Sequence, residues 1–507
     1  MSAKPEDGKT PTPEPKEVDA TLDDTQADKW TTTRVELWSY YLYYVGNNGL
    51  SGFNFGPSQF QNLLFLAGYD PTVGPGSPCS INGCVLPYLG KIRDINSIVL
   101  LTNGISFAIQ AALLLPNITI FFTLFAIGVS FAWLGVEDPS QWRAGVALYI
   151  LGLITYQVCF LMRKPSHHSY RFEEHETFHS ISRNRISNIS FAICSAGEIV
   201  ILAVMVGILR GLRSDQSTEN NTKAFSVLIA FSGAVWLLCA LPWFFFEKRR
   251  PGLELPPGIS LLTIGFRQIV VAFRECLRLK QTFLYLIFYF LMGDVLNTAV
   301  TGILRLHRKP RNTDDISVVS YSTLDLTLLL IVGIVAQGLG IYVFWLVQKR
   351  YKISTKAMLS FVVLWILILT IWGLIGIHTN KFGFKHVWEI WYAVSGGLWF
   401  DDMPMVCIQP DDDKCKLMYD LGQVLIFRTI FGCPLVSSAI VTASGNNNNM
   451  PFAFLFGLGV FSTIFLWQVD VHKSRIECDE FILAERSRKA FQTSAYASGE
   501  PGSIGGN

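Results

Sequence analysis

Stretches of about 20 residues almost free of Lys, Arg, Asp and Glu recur along the chain, and that recurrence narrows the possible folds more than any other feature. A bilayer core about 30 Å thick takes about 20 apolar residues of helix. Hydrocarbon offers backbone N–H and C=O groups no outside partner, so each crossing must satisfy its own. The runs fall near 37–67, 95–115, 117–136, 142–162, 186–209 and 224–246, then near 282–304, 323–347, 356–378, 387–400, 421–442 and 451–470. They predict an all-α polytopic membrane protein of about 12 transmembrane helices in two six-helix halves. Charged residues make up only 16% of the chain, where a soluble domain carries about 25%. A net charge of +2 implies no nucleic-acid partner.

The polar segments divide the chain further. Residues 1–34 hold four prolines and few apolar side chains, which predicts a disordered tail. No apolar core follows a basic start there, so the first span is expected to direct entry into the membrane without a cleaved signal. The halves are expected over 35–246 and 282–471, with a connector over 247–281 and a tail over 472–507. The connector carries Glu247-Lys-Arg-Arg-Pro251 and Pro256-Pro-Gly258, then Arg267, Arg274, Arg278 and Lys280 at roughly helical spacing. That pattern predicts an amphipathic helix lying on the membrane surface. With both tails cytoplasmic, 28 of the 41 basic residues fall on the cytoplasmic side and 12 on the other, which sets that orientation. The worst exceptions are Arg305, Arg308, Lys309 and Arg311 after span seven.

Polar side chains inside lipid are the default functional candidates, because each must be paired or face water. Span one contains Gly46-Asn-Asn-Gly-Leu-Ser-Gly-Phe-Asn-Phe-Gly-Pro-Ser-Gln-Phe-Gln-Asn62. Asn47, Ser51, Asn54 and Ser58 recur at i, i+4, i+7 and i+11, so they are expected to share one helical face. Gly46, Gly49, Gly52, Gly56 and Pro57 weaken the helix, and an interrupted span exposes backbone groups able to bind a polar substrate. Span seven brings Asp294, Asn297, Thr298 and Thr301 to one face. Polar first helices in both halves are what a repeat-built transporter requires; the competing reading is close packing through small residues and amides. Asn47, Asn48, Asn54, Asp294, Asn297 and Gln337 are therefore candidate substrate contacts. Glu198 in span five and Asp294 are candidates for carrying a coupling proton.

Other patterns point to less. Of ten cysteines only Cys79 and Cys84 look paired, in a loop expected to face an oxidising lumen, where a disulfide or two free thiols in a turn are the options. Asn220-Asn221-Thr222 is a glycosylation sequon on the same side. His167, His168, His175 and His179 lie in a hydrophilic segment of mixed charge, read as a solvated loop and not a metal site. Asn446–Asn449 reads as a turn. No serine-nucleophile elbow and no phosphate-binding loop occurs, so neither an enzyme nor a cofactor is expected.

The string Gly46–Asn62 resembles the first span of the fungal autophagy-related protein 22 family, a branch of the major facilitator superfamily. So do Leu241–Gly252, Tyr289–Thr298 and Val469–Ile476. The resemblance implies a major facilitator fold in the vacuole membrane that exports amino acids such as leucine during autophagy. The chain departs from that pattern at Pro116-Asn117, after Gln157, from Gly302 to Asp315, and from Val387 to Phe400. The last is only about 21 Å of helix before Asp401-Asp402, short of a bilayer. Altered splicing or divergence accounts for such junctions, and a doubtful span ten keeps a non-transporting role in assembly or sensing open. A facilitator of another small solute is the third reading.

Overall fold

In a computed structural model, the described residues are 33–79, 83–112, 119–161, 174–247, 277–306, 323–351, 354–379, 381–384, 391–393 and 449–474, with single residues and pairs elsewhere up to 487. Helix α1 (Arg34–Gly46) starts where the Thr33 side chain accepts the Glu36 N–H. It stops at Asn47 because Gly49 turns to a φ of 93°, a region only glycine enters without strain. A π turn (Leu50–Phe55) follows, closed by wide bonds from Asn54 N to Gly49 O and Gly56 N to Ser51 O. Pro57, which donates no N–H, opens α2 (Gly56–Ala67). A Cβ on Gly56 would lie 2.8 Å from Ser51 O, so the wide turn needs glycine there.

The connection after α2 is an ordered cap. Strands β1 (Val85–Tyr88) and β2 (Lys91–Asp94) pair antiparallel around Leu89-Gly90, both at positive φ as a two-residue hairpin turn requires. Cys79 and Cys84 are buried and bridged, and Tyr69 exchanges two backbone bonds with Val85. The helical reading of the chain thus gains a two-stranded element where only a loop was expected.

Helices α3 (Ile95–Ala112), α4 (Thr119–Ala132), α5 (Trp142–Leu161), α6 (Glu174–Leu212) and α7 (Thr218–Phe246) pack with α1 and α2. Further along lie α8 (Lys280–Leu306), α9 (Thr323–Tyr351), α10 (Thr355–Ile375) and α11 (Pro451–Gln468). Helical backbone reaches back to Glu174, so the second part of the His-rich segment is a helical extension of span five rather than a loop. Among the described residues, four helices are long and apolar enough to cross a membrane: Ala192–Leu212, Thr218–Phe246, Thr323–Gly340 and Pro451–Gln468. The connector's surface helix and most of spans ten and eleven lie outside the described residues. So do residues 1–32 and much of the four departing junctions.

Burial runs in the membrane sense. On α4, Phe121, Leu124, Phe125 and Phe131 face outward while Thr123 and Ser130 are buried. Lipid accepts the rings, and the hydroxyls find partners inside: Thr123 Oγ1 meets Tyr43 Oη at 3.0 Å, and Ser130 Oγ donates to Ala126 O at 3.0 Å. Trp38, Phe245 and Trp467 project outward at the end away from the hairpin, as interfacial aromatics do. One apolar core joins α2, α3, α5, α6 and α7, and a second joins α8, α10 and α11. Helix α9 belongs to the seam: Leu329 enters the second core, while Leu324, Leu326, Leu330, Ile331 and Ile334 pack against the first.

Candidate functional site

The break in span one sets the site's geometry. Asn47, at 1% exposure, caps the end of α1. Asn48 Oδ1 accepts the Leu50 N–H at 3.0 Å, so this side chain holds the turn between the two pieces. Ser51 and Asn54 belong to the π turn and Ser58 to α2, with Ser58 Oγ donating to Asn54 O at 2.8 Å. The spacing expected to place four polar residues on one straight face therefore does not do so. The left-handed Gly49 and the wide turn rotate Ser51 and Asn54 away from the register of Asn47.

Beside the break lies a crevice lined by Ser51, Gly52, Ser130, Tyr149, Tyr156 and Trp236, with room for roughly one water molecule. Trp236, 2% exposed, has an indole N–H with no acceptor among the described residues. Tyr149 Oη is taken up by Asn103 Oδ1. Aromatic walls and a buried donor beside interrupted backbone can hold a small group that accepts a hydrogen bond. None of the expected contacts Asn47, Asn48, Asn54, Asp294 and Gln337 lines this crevice, nor does Glu198.

Past the break, two amides missing from the expected set are fully buried. Gln59 Nε2 donates to Thr222 O at 3.2 Å and Ser226 Oγ at 3.0 Å, and Asn62 Nδ2 donates to Thr222 Oγ1 at 3.0 Å. Thr222, the hydroxyl residue of the sequon, is thereby buried in the first turns of α7, while Asn220, the residue that would carry a glycan, is half-exposed.

Span seven, α8, is a single helix with Asp294 half-buried. One turn on, Thr298 Oγ1 is buried without a hydrogen-bond partner among the described residues. The Asn297 side chain lies outside the described residues. Glu198 on α6 and Gln337 on α9 are half-buried on helices that pack together, each fourteen residues from the hairpin end of its helix, about 21 Å. Two buried acids escaped the sequence reading: Glu36 at the start of α1 and Glu389 in the short span ten. Each interrupts or edges an apolar run, which was the available signal. Among the described residues no cluster of His, Cys, Asp and Glu could hold a metal.

The fold is that of major facilitator transporters. A POT family transporter in complex with 5-aminolevulinic acid aligns with TM-score 0.55 at 12% identity, over 85% of this chain and 95% of that one. The partially occluded, inward-open xylose transporter XylE from E. coli aligns with TM-score 0.50 at 13% identity, over 85% and 97%.

Within that fold the family is specific. Residues 32–400 match the family described as vacuole effluxer Atg22 like, and the chain belongs to it. Autophagy-related protein 22 of Saccharomyces cerevisiae (strain YJM789) is 24% identical over 240 residues, 45% of this chain and 44% of that protein. Autophagy-related protein 22-1 of Sclerotinia sclerotiorum is 23% identical over 288 residues, 50% and 45%. The matches thus span about half the length of these curated relatives.

Proposed function

We propose that this chain is a vacuole-membrane transporter that moves amino acids, leucine and similar side chains, from lumen to cytosol during autophagy. Two halves over 35–246 and 282–471 rock about a central site, with both tails and the 247–281 connector on the cytoplasmic side. Asn47 and Asn54 at the break, with Asp294 and Asn297 on span seven, contact the substrate. Gln337 stands at the seam, and Asn48 supports the site by holding the turn. Glu198 and Asp294 carry the coupling proton. The observation that carries this reading is the interruption of span one around buried Asn47. The π turn and the Asn48 side chain take up the local N–H groups. What supports a site is that the α-helical ladder is interrupted in mid-span beside a buried amide, the arrangement by which discontinuous helices present polar groups to a substrate.

The test is leucine efflux from isolated vacuoles of cells expressing this chain, against cells lacking it. Efflux is expected to depend on the chain, and Glu198→Gln and Asp294→Asn are expected to abolish pH-driven flux. Insertion without chain-dependent flux of leucine would return the non-transporting reading. Flux of another solute alone would replace the substrate.

A further inference from the structure

The break in span one is wired by hydrogen bonds to the seam between the halves. Asn221 Oδ1, on the first turns of α7, accepts both the Thr323 N–H at 3.1 Å and the Thr323 hydroxyl at 3.0 Å, at the start of α9. Asn221 and Thr323 are buried. The next residue, Thr222, is the one that Gln59 and Asn62 hold from α2. Ser226, one turn on, takes the second Gln59 bond and donates to Val136 O at 3.5 Å. All of this lies at the hairpin end, where α2 stops and α7 and α9 begin. There the first turns of α9 press Leu324, Leu326 and Leu330 against the first core.

We propose that Asn221 and Thr323 form the latch that closes the hairpin end between the two halves, and that Gln59 and Asn62 couple this latch to the broken span. Asn221 offers one acceptor to two donors of the facing half, so the contact is made or lost as a unit. Its neighbour in sequence is gripped by side chains only four and seven residues past the π turn. A shift of α2 as the site fills therefore pulls directly on the latch. The consequence for transport rests on the transporter reading above: releasing this pair is the step that opens the site toward the hairpin side.

The test is thiol accessibility in the full-length protein in vesicles, with the native free cysteines replaced and Thr327→Cys as reporter. Thr327 is fully buried one turn inside the latch. A membrane-impermeant maleimide is applied from the hairpin side. Asn221→Leu removes the shared acceptor and is expected to speed labelling about tenfold. Asn221→Asp keeps an acceptor and is expected to label as slowly as the parent. Thr323→Val, which preserves shape and loses one donor, and Gln59→Leu are each expected to speed labelling about threefold. Should Asn221→Leu fail to insert, the latch is judged on Thr323→Val. Equal rates in all variants overturn the proposal even where leucine flux is intact. Faster labelling with no flux in any variant leaves the latch standing and removes the transport reading instead.

Discussion

Between Arg34 and Ala67 the chain crosses as two α-helices joined by a π turn, whereas from Lys280 to Leu306 the corresponding helix of the second half runs unbroken. Both carry amides and hydroxyls in mid-span, so polarity alone does not break a helix in lipid. Glycine density does. Span one places Gly46, Gly49, Gly52 and Gly56 ahead of Pro57, while the polar stretch of α8 has only Gly293. One glycine weakens a helix by about 1 kcal/mol relative to alanine, which packing absorbs. Several together, followed by a residue without an N–H, remove enough of the ladder for a wide turn to take over. The two halves therefore differ in their first helices: a displaced backbone in the first, a continuous helix carrying Asp294 and Thr298 in the second.

The largest expected effect tests that division. Gly49→Val puts a β-branched side chain where φ is 93° and is expected to cut flux at least about tenfold, because the turn must refold. Gly293→Ala, inside a continuous helix, is expected to leave flux within about twofold and to favour the helix slightly. Initial-rate uptake into vesicles, normalised to inserted protein, reads both. Equal losses would mean that both spans work as continuous helices and would erase the contrast.

A second difference lies in how the halves are fastened. In the second, Asn449 is fully buried, and its Nδ2 donates to Gly373 O at 3.1 Å and Gly383 O at 2.7 Å, stapling α10 to the start of α11. Asn449, the last residue of the expected turn, is thus part of a structural joint, with the Phe452 ring pressed on Gly373; Asn446 to Asn448 lie outside the described residues. The first half uses the Gln59–Asn62–Thr222 bonds between helices. Interhelical hydrogen bonds in membranes average about 0.6 kcal/mol, since alternative partners abound, whereas leaving a buried loop carbonyl unmatched costs about 1–3 kcal/mol. Thermal unfolding in detergent is expected to fall further for Asn449→Ala, by about 2 kcal/mol, than for Gln59→Leu, by about 1 kcal/mol. The reverse order would place the stronger joint in the first half.

Helix ends were legible because a bilayer punishes charge everywhere along a span. The run at 451–470 became Pro451–Gln468 and the run at 224–246 ends at Phe246 as expected, whereas α6, expected from about 186, is already helical at Glu174 because helix continues past the apolar run into polar sequence. The break in span one was legible for the same local reason, from Gly and Pro in an apolar run. The hairpin was not. Its turn is Leu89-Gly90, and leucine at positive φ gives none of the Asn-Gly signal that marks such turns. The network was hidden too. Gln59 and Asn62 meet Thr222 across about 160 positions of sequence, and no spacing rule reaches that far. Trp236 reads as one more aromatic in an apolar helix until α1, α4 and α5 close around it.

The smallest effect concerns the turn that carries the far end of that network. Asp138 Oδ1 accepts the Ser140 N–H at 2.7 Å, while Gln141 Oε1 accepts the Asp138 N–H, a reciprocal cap two residues past Val136, the acceptor for Ser226. The hydrogen bonds from Ser140 hold the Asp138 carboxyl below its ordinary value of 3.8. A depressed folded value means that the stabilisation is complete above about pH 4 and is lost as pH falls through the folded value. Asp138 is fully exposed, so water screens the charge and the effect is a fine adjustment. Asp138→Ala is expected to lower the melting temperature slightly at neutral pH, with the gap to the parent closing in acid. Asp138→Asn keeps a capping oxygen without the charge and is expected to show a smaller gap at neutral pH. A gap for Asp138→Ala that stays constant from pH 7 to pH 3 would detach the carboxylate from the turn, and the first half's network would then end at Val136 without charge support.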